Sequence, residues 1–158
     1  MSFDVHLIAS TLSPPPGAFE AKVDAALQAL GAEGRVVDQM FRARDGSEAE
    51  LYAAGGGGAM FALRGFSPSM AEAVFAIAEV TSCFITWSAA DALLLRTPSN
   101  LGETPDDDLP VPLLVDDAAA LMTLLTDGFD GWSRFRDQVV AAPPPRKKSW
   151  LGQLFSRS

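Results

Sequence analysis

A chain of 158 residues with 48% hydrophobic content and ten phenylalanines is long enough for one cored domain and too apolar for a disordered one. No apolar run reaches the ~18 residues that span a bilayer, and a single cysteine, Cys83, excludes an internal disulfide. The formal charge of −8 is unevenly spread: residues 1–142 carry all 20 acids against eight Lys and Arg, a balance of −12, while residues 143–158 carry four bases and no acid.

Phe3–Ile8 alternates, with Phe3, Val5 and Leu7 on one face and Asp4, His6 and Ile8 on the other, which predicts a half-buried strand. "SPPPG" ends it at Ser13–Gly17. Phe19, Val23, Ala26, Leu27 and Leu30 then recur at helical spacing, with Gly31 placed as a left-handed cap. Arg35–Ala43 reads as a second strand. Asp45-Gly46 signals a two-residue hairpin turn, with φ > 0 at both positions. Glu48–Ala54 is the third strand.

Gly55–Gly58 follow, and the question is whether they cradle phosphate. A P-loop needs a Gly-Lys-Ser/Thr ending, and here Ala59, Met60 and Phe61 follow. A dinucleotide fingerprint would need a third glycine at Met60 or Phe61. Both loops also lead straight into a helix. Ala59–Leu63 reads as a strand, apolar on both faces and so central. The glycines are therefore read as a turn, with a ligand or partner loop as the alternative.

Ser67 and Pro68 open a second helix, as N-cap and first helical residue, with Met70, Val74, Ile77 and Ala78 on its buried stripe. Ser82–Ser88 and Ala92–Arg96 predict a strand pair. Ser99–Pro112 is loop chemistry, and Leu113–Asp117 a short edge strand running into a helix cap. Ala118–Thr126 reads as helical. Gly128 and Gly131 interrupt it, and Trp132, Phe135 and Val139 open another helical segment.

The expectation is an α+β fold: a mostly antiparallel sheet of about six strands, in the order β-α-β-β-β-α-β-β-α-α, with helices packed against it. A duplicated strand-helix-strand-strand unit would generate that order. Residues 1–142 form the single α+β domain, and 143–158 a Pro-rich linker and basic, aromatic, amphipathic tail.

No residues are assigned to catalysis, a cofactor or a metal. His6 shares a strand face with Asp4, and a Cys83–His6 pair is the one nucleophile arrangement to consider. Cys83 alternates with Ile85 and Trp87, however, and reads as core. Asp106–Asp108 and Asp116–Asp117 lack the alternation and glycine of a calcium loop. They read as a solvated loop and a helix cap.

The candidate interaction residues are Arg146, Lys147, Lys148, Trp150, Leu151, Leu154 and Phe155. On a helix the last four form one apolar stripe behind a basic cluster, which suits a partner's groove or an anionic membrane.

The leading expectation is a non-catalytic, inhibitor- or immunity-like protein-interaction module, whose acidic surface meets a basic site on a protein partner. The alternatives are a small-ligand binder or enzyme near His6 or Gly55–Gly58, and a peripheral membrane protein anchored by the tail. An acidic body opposes nucleic acid, whose phosphates need Lys and Arg. The single cysteine, and a start without a basic leader, predict a cytoplasmic setting. Oligomeric state is left open.

Overall fold

A computed structural model of the chain describes residues 3–54, 58–87, 93–105 and 108–141. The fold is α+β: one seven-stranded, mostly antiparallel sheet with three helices packed against it. In chain order the elements are β1 (Phe3–Ile8), α1 (Ala18–Ala29), β2 (Met40–Arg42), β3 (Glu48–Ala54), β4 (Gly58–Leu63), α2 (Pro68–Thr81), β5 (Phe84–Trp87), β6 (Leu94–Arg96), β7 (Leu113–Leu114) and α3 (Ala118–Ala141). The strand order is β2-β3-β4-β1-β5-β6-β7, and only the last pair is parallel. β4 is central, as its two apolar faces imply.

Register assigns the faces, because directly opposite residues share a side. Val5 pairs with Phe61 and Trp87, Leu51 with Phe61, and Ile85 with Leu95. These residues form the inner face and are buried together with Phe19, Val23 and Leu27 of α1, Met70, Val74 and Ile77 of α2, and Leu121 and Leu125 of α3. α2 lies between α1 and α3 and packs on both. Phe41 and Phe61 meet edge-on, with centroids 6.0 Å apart, a preferred aromatic geometry.

The helix ends follow from their sequences. Ser67 Oγ accepts from Met70 N, with Pro68 at the first helical position. Gly31, at φ 71, ends α1, where its N–H bonds to Gln28 O and that of Ala32 to Leu27 O. Glu20 reaches back to Gly17 N at the start of α1.

Four expectations are corrected. Arg35–Ala43 is not one strand. Val36–Asp38 turn as a 3₁₀ segment and Gln39 is left-handed at φ 56, so pairing starts only at Met40. Side chains hold this turn: Asp24 Oδ1 accepts from Val36 N, and Asp38 Oδ2 from Arg35 N.

The hairpin turn is where Asp45-Gly46 signals it, but Gly46 alone has positive φ, at 91. Ala43 N bonds to Ser47 O and Gly46 N to Ala43 O, a three-residue loop ending in a glycine bulge. Asp45 Oδ1 accepts from both Ser47 N and Ser47 Oγ, closing the turn through a side chain.

α3 runs unbroken through Gly128 and Gly131. A Cβ at Gly128 would lie 2.6 Å from Trp87 Nε1. The glycine lets the helix seat on the indole, and that packing offsets its poor helix propensity, ~1 kcal/mol.

The two halves are not duplicates. A matched unit that sets β3 beside β4 would set β6 beside β1, yet β5 takes that place.

Candidate functional site: the open edge of the sheet

β7 is the last strand, and among the described residues no strand lies beyond it. It holds to β6 through Leu95–Leu113 and Arg96–Leu114 pairing, and Val115 N donates to Arg96 O. By alternation Leu113 belongs to the inner face and Leu114 to the outer. Both are about half exposed, at 52% and 46%, and Val111 just before them is 86% exposed. The edge is thus apolar on both faces.

Acids bracket it. Asp108 precedes it and Asp116 and Asp117 follow, all exposed. Asp117 also accepts from Ala120 N and so caps α3, as its position predicts.

The chain between β6 and β7 is firmly tied at its start. Thr97 and Asn100 are buried polar residues. Thr97 N donates to Asn100 Oδ1, Asn100 N to Thr97 O, and Asn100 Nδ2 to Ser82 O. Ser99 N donates to Glu79 Oε2 at the end of α2. Arg96, on the outer face, donates to the carbonyls of Leu101 and Glu103, which draws the connection across that face. Phe84 and Leu94 lie on the same face and are buried at 2% and 1%, so the connection forms a partial second layer there.

Across the middle of the outer face Asp4, His6, Tyr52, Met60 and Thr86 are half-buried. His6 stands between Met60 and Thr86. Tyr52 lies near Glu50, and burial, with that carboxylate's charge, pushes its phenol up.

Cys83 is fully buried on the inner side, with Ser13 Oγ at 3.7 Å and Thr81 O at 3.8 Å. Burial pushes its thiol up, away from the reactive thiolate. Pairing places His6 opposite Thr86 and leaves Cys83 on the other side of the sheet. The sheet therefore keeps the imidazole and thiol apart.

A shallow depression of about 330 Å³ lies at the opposite edge, beside Gly34, Met40 and Arg42. Neither His6 nor Cys83 lines it. Among the described residues no three His, Cys, Asp or Glu side chains group as a metal site, and no helix is long and apolar enough to cross a membrane.

The tail residues Arg146, Lys147, Lys148, Trp150, Leu151, Leu154 and Phe155, and Gly55–Gly57 of the glycine run, lie outside the described residues. Gly58 opens β4, and a Cβ there would lie 2.6 Å from Leu7 O, so this glycine serves a close backbone approach. Asp106 and Asp107 are also outside the described residues. The edge position of β7 agrees with the short edge strand expected over Leu113–Asp117, with pairing confined to Leu113 and Leu114; what the sequence does not show is how exposed its apolar side chains are. Compared with known protein families, curated proteins and solved structures, the chain matches none.

Proposed function

We propose that this chain is a non-catalytic protein-interaction module that presents the β7 edge to a partner segment of basic and apolar character. The observation that carries this reading is the combination of exposed Val111, Leu113 and Leu114 with exposed Asp108, Asp116 and Asp117 on a strand that, among the described residues, has a neighbour on one side only. An extended segment added there gains backbone hydrogen bonds and covers apolar side chains on both faces. The acids select for Lys and Arg and speed encounter. The body's charge of −12 fits an inhibitor-like covering of a basic site, and a single cysteine fits a reducing cytoplasm.

Site-specific photo-crosslinking tests this. A photoreactive residue at Val111 is compared with one at Val37, which is 72% exposed beside the opposite edge. Capture of protein from Val111 that exceeds capture from Val37 and falls with salt supports the reading. Equal capture at both positions, or none at Val111, refutes it.

A further inference from the structure

We infer that the segment which adds to the β7 edge is the basic-aromatic tail, residues 146–158, of a second copy of this chain. This rests on the reading of β7 as an interaction edge and names its occupant.

Three features point to it. The first is charge. Arg146, Lys147, Lys148 and Arg157 are the only bases after residue 142, with no acid among them. Their charge is opposite to that of an edge bracketed by Asp108, Asp116 and Asp117. Opposite charges at a partly exposed interface fix partner and register more than they add affinity.

The second is side-chain pattern. In an extended segment alternate residues share a face. Trp150 and Leu154 then fall on one side, and Leu151 and Phe155 on the other. β7 also offers one leucine to each side, each about half exposed. A strand apolar on both faces therefore matches an edge apolar on both faces, which a one-faced amphipathic strand cannot do.

The third is reach. α3 starts four residues after β7 and has 24 residues, so its far end lies about 36 Å from its start. Gly128 seats on Trp87 at the end of β5, and the thirteen residues beyond it carry the chain roughly 20 Å further. Nine residues then lead from Ala141 to Trp150, three of them consecutive prolines. At about 3.1 Å per residue such a spacer covers roughly 28 Å. A spacer of that length is shorter than α3 itself, so a chain's own Trp150 would have to run back nearly straight along the helix to approach β7. A second copy's tail meets no such limit. Two copies can exchange tails symmetrically, each β7 receiving the other's segment.

The test uses full-length protein. Sedimentation at rising concentration should show a dimer that weakens with salt, because screening acts on the exposed charges. Trp150→Ser with Phe155→Ser should return it to a monomer, as should Leu113→Lys with Leu114→Lys. A fluorescent synthetic peptide of residues 146–158 is then titrated into the tail-substituted full chain. Binding that falls about tenfold or more with the β7 lysines supports the inference, since a lysine edge opposes both added strands and basic segments. A full chain that stays monomeric at every concentration overturns it, as does a peptide indifferent to the β7 substitutions. If those results come while Val111 still crosslinks to another protein, the interaction reading of β7 stands and only its occupant is wrong.

Discussion

The two edges of this sheet are finished in opposite ways. At the β2 edge the chain leaving α1 turns back on the strand: Glu33 N donates to Arg42 O at 2.9 Å, and Arg42 N to Glu33 O at 2.8 Å. Gly34 makes that approach possible, since a Cβ there would lie 2.5 Å from Met40 O. Arg42 Nε also donates to Glu48 Oε1 at 2.9 Å, across an exposed pair. That pair adds little stability, because solvent screens it. It does put charge on an edge, a common defence against added strands. At β7 the charges and prolines flank the strand rather than sit on it: Pro110 and Pro112 precede it, Asp116 and Asp117 follow, and the paired residues are two exposed leucines. A closed edge is a structural boundary, whereas an open apolar one has the backbone groups and side chains to accept another strand.

Breaking the closed edge should have the largest effect. Gly34→Ala combines a φ of +106 with the contact to Met40 O, so a loss of about 3 kcal/mol is expected in urea unfolding. An unchanged midpoint would mean that the bridge to Glu33 does not need the close approach.

Asn100→Ala comes next. It leaves Thr97 N without its acceptor in a buried setting, which should cost ~2 kcal/mol. Hydrogen exchange should then rise between Thr97 and Glu103, at the root of the connection to β7. If exchange rose equally at the β2–β3 hairpin, the two edges would not be independent.

Leu113→Lys with Leu114→Lys should shift unfolding by no more than about 0.5 kcal/mol, as surface substitutions do, while abolishing association. A large loss of stability would show that these leucines serve the fold itself.

The smallest effect concerns pH at the β2–β3 turn. Hydrogen bonds from Ser47 and Ser67 hold the Asp45 carboxyl down, from 3.8 to about 2. A depressed carboxylate contributes stability above its unfolded pKa and loses it as pH falls through the folded value. The turn should therefore weaken between about pH 4 and 2, and Asp45→Asn should flatten that part of the unfolding profile. A parallel profile would show that Asp45 ionisation does not hold the turn.

Much of the fold was legible. β1, β3, β4 and α2 followed from alternation, helical spacing and the Ser67–Pro68 start, because burying one face imposes a period. β2 was overextended because Gln39 and the 3₁₀ turn interrupt an apolar stretch whose geometry is set by Asp24 and Asp38, through backbone contacts invisible in a pattern. The candidate site was less legible. The tail residues stand out by charge and aromatic content, and Leu113–Asp117 reads as an edge strand, but how exposed its leucines are does not follow from the sequence, since exposure depends on what lies alongside.

The sequence alone determined the periodic elements, the acidic body, the basic tail and the helix caps, since each depends on residues close together in the chain. Tertiary structure decided the rest. Trp87, far from Gly128 in sequence, turns an apparent break into a continuous helix. Register puts His6 and Cys83 on opposite faces of the sheet, and strand order decides that β7 flanks β6. These are long-range pairings, and no local preference specifies which strand lies beside which.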